Sequence, residues 1–177
     1  FSSRRRHTRL LTVTGVQTCA LPILVSKIHA ACDARRDPDL MIMARTDAAA
    51  TEGFEAAVER AQRYAQAGAD VLFVEAVTEL EHLQALPQRL STPQLINMVI
   101  GGKTPVTDAH ALREMGYGLI LYANAALQGA VAGMQRALDH LRTQQRLDED
   151  PNLVATFSER QRLVGKPAWD ALEQKYR

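Results

Sequence analysis

From residue 25 onward the chain alternates between short, wholly apolar runs and longer segments whose apolar positions recur every three to four residues. "LMIMART" (40–46), "ADVLFVEA" (69–76), "PQLINMVIGGKTP" (93–105) and "YGLILYANA" (117–125) are the apolar runs. Each is too short to stand as a helix and is bounded by turn residues, the pattern of a strand buried on both faces. Between them, "GFEAAVERAQRYAQAG" places Phe54, Ala57, Val58, Ala61, Tyr64 and Ala65 on one helical face and stops at Gly68. "TELEHLQALPQRL" predicts a helix with Thr78 and Glu81 spaced as a capping box, and "DAHALREMG" one capped by Asp108 and ended by Gly116. "VSKIHAACDARRDPD" reads as the end of an earlier helix, closed before Pro38. "LQGAVAGMQRALDHLR" predicts a long helix, and the tail two short ones, "ATFSERQRLVG" and "PAWDALEQKY", after a linker at about 144–155. Strand–helix units repeated four times, with continuously apolar strands, imply a parallel sheet covered by helices.

At or near the end of each strand stands a polar residue that an apolar strand does not call for: Arg45, Glu75, Asn97 and Asn124. In parallel α/β architectures the carboxyl ends of the strands are where sites are built. Such residues can also merely cap strands or pair with one another, Arg45 with Asp47 or Glu75 for instance. Four at matching positions favour a site.

Charge and composition narrow the classes. The formal charge of +1 conceals an uneven spread, because residues 1–24 hold four arginines and no acid. That leaves 17 basic and 20 acidic residues elsewhere, a net of −3, and no electrostatic ground for nucleic-acid binding. No run of about 20 apolar residues is present to span a membrane. Cys19 and Cys32 form no CxxC or Cys/His cluster, and the histidines lack ligand spacing, so neither a disulfide framework nor a zinc site is expected. Trp169 reads as core or subunit interface.

The motifs "IMARTDA", "GFEAAVERAQRYAQAGADVLFVEA", "NMVIGGKTP" and "LREMGYGLILY", in that order, resemble the isocitrate lyase/phosphoenolpyruvate mutase superfamily over residues 25–177. The style is closest to its small members: methylisocitrate lyase, dimethylmalate lyase, oxaloacetate decarboxylase or hydrolase, and carboxyvinyl-carboxyphosphonate phosphorylmutase. The resemblance implies the second half of a (β/α)8 barrel, strands 5–8, over residues 25–143, with a C-terminal helical extension over 144–177. It implies a cytoplasmic, Mg²⁺-dependent homotetramer with exchanged C-terminal helices. Its chemistry would break or make a bond next to the oxo carbon of a small carboxylate substrate. Arg45 matches the family arginine that grips a substrate carboxylate, Asn97 an asparagine that hydrogen-bonds one, and Glu75 a glutamate that orients substrate and catalytic loop. Glu75 leans toward C–C cleavage, since the phosphonopyruvate-forming mutase differs there. Gly101, Gly102, Lys103 and Thr104 form the following loop, suited to an anion or simply to a turn. Asn124 is the weakest of the candidates. Ile100 stands where many relatives carry an acid.

The family's metal-binding acids belong to its early strands, and its "KKCGH"-type loop precedes the fifth strand. Cys32 is not that cysteine, for no Gly-His follows it. Upstream stands instead "SRRRHTRLLTVTGVQTCALPI", which resembles a translated sequencing adapter on both sides of a three-residue variable index, Leu10 to Thr12. An export signal would need a longer clean apolar core and a small-residue cleavage site. Residues 1–24 are therefore expected to be non-native and irregular, and the Mg²⁺ ligands to lie in a missing first half. The fragment alone would be inactive, with unpaired apolar edge strands. A phosphonomutase-type enzyme and a non-catalytic half-barrel are the alternatives.

Overall fold

A computed structural model describes residues 21–103 and 108–177. The chain divides between Ala123 and Asn124 into two units. In the first, α1 (Leu21–Ala34), β1 (Met43–Thr46), α2 (Ala48–Thr51), α3 (Phe54–Gln66), β2 (Val71–Val74), α4 (Leu80–Arg89), β3 (Gln94–Val99), α5 (Ala109–Met115) and β4 (Leu119–Ala123) follow in order. The four strands form one parallel sheet in the order β1-β2-β3-β4. This is the expected run of β/α units, with each strand beside the next one in sequence, as in one arc of a barrel.

The helices pack where the periodicity places them. Ala57, Val58, Ala61 and Tyr64 of α3 are buried, and the last three join Leu72, Leu83, Leu86, Leu112 and Tyr117 in the main core. Fully burying Leu72 or Leu112 contributes about 1.5–3 kcal/mol each. Along β2 the side chains alternate, and Val71 and Phe73 meet Leu95 in a smaller cluster. Helix ends follow the punctuation at two places. Asp108 accepts from the backbone N–H groups of His110 and Ala111, and Gly116 ends α5 at φ +104°.

Four details differ from the sequence pattern. Thr78 and Glu81 do not form a capping box: α4 begins at Leu80, Glu79 is its N-cap, and no side chain caps it. Burial on both faces is confined to β2 and β3. In β1 only Ala44 and Thr46 are buried, and β4 has no buried residue, because each has one strand neighbour among the described residues. α1 starts at Leu21, inside the segment expected to be irregular. Pro22 suits a first helical turn, and Leu21, Leu24 and Val25 extend the stripe of Ile28 that packs on the core. Finally, the unit boundary falls before α6 rather than at 143/144.

The second unit holds α6 (Ala125–Gln144), α7 (Phe157–Leu163) and α8 (Lys166–Lys175). None of the three has a buried residue. Trp169 is 68% exposed, so the core reading of it fails: α8 is too short to enclose an indole against α7 alone.

Candidate active site

Strand register brings three of the expected residues onto one face. Arg45 of β1 is paired with Phe73 of β2, and Phe73 with Leu95 of β3. Side chains repeat every second residue on a strand, so Glu75 and Asn97, each two residues further on, share that face one pleat nearer the carboxyl ends. Glu75 follows the last residue of β2, whereas β3 continues two residues past Asn97.

The side chains meet there. Arg45 Nη1 lies 3.2 Å from Glu75 Oε2, and Asn97 Nδ2 donates to that same oxygen at 3.2 Å. Ala76 N–H donates to Glu75 Oε1 at 3.2 Å, so the carboxylate is held at both oxygens. Ala76 adopts φ +64°, a left-handed conformation uncommon outside glycine, right beside the carboxylate it secures.

Asp47, two residues beyond Arg45, takes the other edge of the guanidinium. It accepts from Nη2 at 2.6 Å and from Nε at 3.2 Å. The Asp47 hydrogen bond raises the Arg45 pKa above its ordinary value, against a smaller lowering by burial. Beneath, the guanidinium carbon lies 4.9 Å from the centre of the Phe73 ring, within cation–π range. One guanidinium therefore sits between two carboxylates, on an apolar floor, with its side chain 49% exposed. Such a group is fixed in orientation yet open to an incoming carboxylate. Phe73 and Ala76 were not marked by the motif, although Phe73 is legible from its place two residues before Glu75.

The glycine loop after β3 is a turn where it is described. Gly102 N–H donates to Val99 O at 2.8 Å, and a Cβ on Gly102 would come within 2.8 Å of that oxygen. That backbone donor is thus engaged inside the protein. Gly101 has φ +76°, and Lys103 is exposed. Thr104 lies outside the described residues. Asn124 belongs to the second unit, where it precedes α6 at φ +64° without a side-chain cap.

Among the described residues no group of three or more His, Cys, Asp or Glu side chains could hold a metal ion. The two acids of the cluster, Asp47 and Glu75, are both paired with Arg45. These residues do not make a Mg²⁺ site. No helix among them is long and apolar enough to cross a membrane.

Comparison with known proteins yields a match to the phosphoenolpyruvate phosphomutase family model over residues 11–142. The chain is 35% identical over 153 residues to 2,3-dimethylmalate lyase of Eubacterium barkeri, covering 86% of this chain and 53% of the relative. It is 43% identical over 118 residues to 2-methylisocitrate lyase of Escherichia coli K12, covering 67% and 38%. A crystal structure of a 2,3-dimethylmalate lyase superposes with a TM-score of 0.81 at 33% identity, over 90% of this chain and 57% of that one. The chain thus spans about half, or less, of the length of these relatives.

Proposed function

The chain belongs to the phosphoenolpyruvate mutase/isocitrate lyase superfamily, and from that premise we propose that it supplies the carboxylate-gripping part of a carbon–carbon lyase. The substrate class is a small 2-oxo or 2-hydroxy di- or tricarboxylate of the dimethylmalate, methylisocitrate or oxaloacetate type. Arg45 binds one carboxylate through the exposed part of its guanidinium, between its contacts to Asp47 and Glu75. Asn97 turns its amide to a second substrate oxygen, and Glu75 fixes the angle of both. As the bond next to the oxo carbon breaks, electrons accumulate on the substrate oxygens, and a guanidinium held in place stabilises that charge without moving. The proposal includes Mg²⁺ bound by residues outside the described ones, and a cytoplasmic homo-oligomer. No step here runs through the metal.

The convergence of Arg45, Glu75 and Asn97 from three successive strands, linked at 3.2 Å, carries the proposal. Its test is a Mg²⁺-supplemented assay of the protein that contains this chain, with 2,3-dimethylmalate, 2-methylisocitrate and oxaloacetate. Arg45→Lys keeps the charge but loses the fork, and KM for the turned-over substrate should rise about tenfold to hundredfold, the worth of a charged hydrogen bond. No turnover of any of the three, or an unchanged KM in Arg45→Lys, would sink the proposal.

A further inference from the structure

Asp47 stands where a helix cap is expected and does not act as one. It is the N-cap residue of α2, yet its side chain makes no capping hydrogen bond. Aspartate is among the preferred N-caps because its carboxylate meets the free N–H groups of the first turn, and Asp108 does this on α5. At α2 the buried Thr46 hydroxyl accepts from Ala48 N–H instead, at 3.2 Å. The Asp47 carboxylate is thereby released, and both of its oxygens turn to Arg45.

The donors of Arg45 show what the carboxylate does there. A guanidinium has five N–H groups, one on Nε and two on each terminal nitrogen. Asp47 takes Nε at 3.2 Å and Nη2 at 2.6 Å, while Glu75 faces Nη1 at 3.2 Å. One N–H on each terminal nitrogen remains, the pair that a carboxylate meets end-on. The two acids stand at equivalent places, since Thr46 pairs with Val74 and each is followed by its acid. Of the two, Asp47 is the firmer hold, and its hydrogen bond is the largest cause of the raised Arg45 pKa. Given Glu75 alone, the guanidinium would turn its fork onto that carboxylate and close the end that faces substrate.

We propose that Asp47 is a positioning residue of the site: it forgoes capping α2 in order to hold Arg45 side-on, and so keeps the Nη1–Nη2 end of the fork toward an incoming carboxylate. Asp47 touches no substrate in this role and acts through Arg45 alone. The Arg45–Asp47 pair is then a condition of carboxylate binding, not a structural alternative to it. The hold on Arg45 stands on geometry; its bearing on turnover rests on the function proposed above.

The test has one arm that needs no activity and one that does. In the full 177-residue chain, nitrogen-labelled for magnetic resonance, the Arg45 Nε proton should exchange slowly with water. Asp47→Ala should speed that exchange about tenfold, the worth of a charged hydrogen bond, with the circular dichroism spectrum preserved because no cap is lost. If Asp47→Ala does not fold, Asp47→Asn, which keeps the shape and loses the charge, should still speed it. Fast exchange in the wild type, or exchange unmoved in the folded variant, would overturn the proposal. In the protein that contains this chain, Asp47→Ala should lower kcat/KM about tenfold to hundredfold, the cost of a misplaced binding group. Arg45→Lys has no Nε edge to hold, so adding Asp47→Ala to it should cost nothing further. A full additional loss in the double variant would mean that Asp47 acts otherwise than through Arg45. If the exchange arm holds while no substrate is turned over, the hold on Arg45 stands and the lyase reading falls.

Discussion

Arg45 Nη1 and Glu75 Oε2 lie 3.2 Å apart across the seam between β1 and β2, two residues out of level, since Arg45 is paired with Phe73. The offset matters. A level pair would lie flat across the two strands, whereas this one tilts the guanidinium toward the carboxyl ends and leaves it over the Phe73 ring. Asp47 then holds the edge that Glu75 does not face.

Replacing Glu75 with Gln separates stability from function. The Arg45 side chain is 49% exposed, and an ion pair in that setting contributes only about 0–1 kcal/mol. Urea denaturation of Glu75→Gln should therefore differ from wild type by no more than about 1 kcal/mol. Turnover should fall far more steeply, by roughly a hundredfold, as for loss of a group that orients the reacting substrate. A loss of stability as large as the loss of activity would show Glu75 to be structural.

Gly68 is set by two constraints at once. It ends α3 at φ +102°, and a Cβ there would come within 2.8 Å of Cys32 Sγ on α1. Gly68→Ala should cost about 1–2 kcal/mol for the backbone conformation alone, plus a steric part. Cys32→Ala removes the sulfur but not the dihedral penalty. The double variant should recover part of the loss, so a thermal-melt cycle should give a non-additive result. Strict additivity would mean that the α1–α3 contact is not what confines the site to glycine.

The acid limb of stability should depend on Asp70. Its carboxylate accepts from Ile42 N–H at 2.8 Å and from Arg35 at 2.7 Å. These hold its pKa below the ordinary aspartate value, the Ile42 backbone bond being the largest cause. A carboxyl depressed in the folded state stabilises that state in full above its unfolded value near 3.8. The contribution is lost as pH falls below that, through the folded value. Asp70→Asn should flatten the stability profile below about pH 4. Identical acid-unfolding midpoints for the two proteins would refute the assignment.

Most of the fold could be read from periodicity because the decisive contacts are local. Phe54 to Ala65 at helical spacing, Gly68 and Gly116 as stops, and Asp108 as a cap all state their conformation within a few residues. The same locality explains the convergence of Arg45, Glu75 and Asn97, since equivalent strand positions in a parallel sheet fall side by side. What the pattern could not show depends on partners distant in sequence. Thr78 and Glu81 have the spacing of a capping box, yet the helix begins one residue too late for it. The strained backbone of Ala76 leaves no mark in the residue type, and alanine is a poor signal for a left-handed position. The isolation of β1 and β4 is likewise invisible, because apolar runs look alike whether or not a neighbour covers them.

Those two strands lead to a prediction about the chain itself. β4 exposes Leu119, Leu121 and Tyr122 at 40%, 43% and 44%, and β1 exposes Met43 at 43%. Each has one strand partner among the described residues, so its other edge presents backbone donors and acceptors beside apolar side chains. Such an edge pairs readily with another chain, and barrels avoid the problem by closing. The 177-residue chain should therefore associate, with a mass above the monomer's in sedimentation velocity and a soluble yield that falls with concentration. A charge on the edge strand opposes this, and Leu121→Lys should move the distribution toward monomer while leaving the α3–β2 core intact by circular dichroism. A wild-type chain that sediments as a compact monomer at all concentrations, with Leu121→Lys indistinguishable from it, would show that these edges are covered.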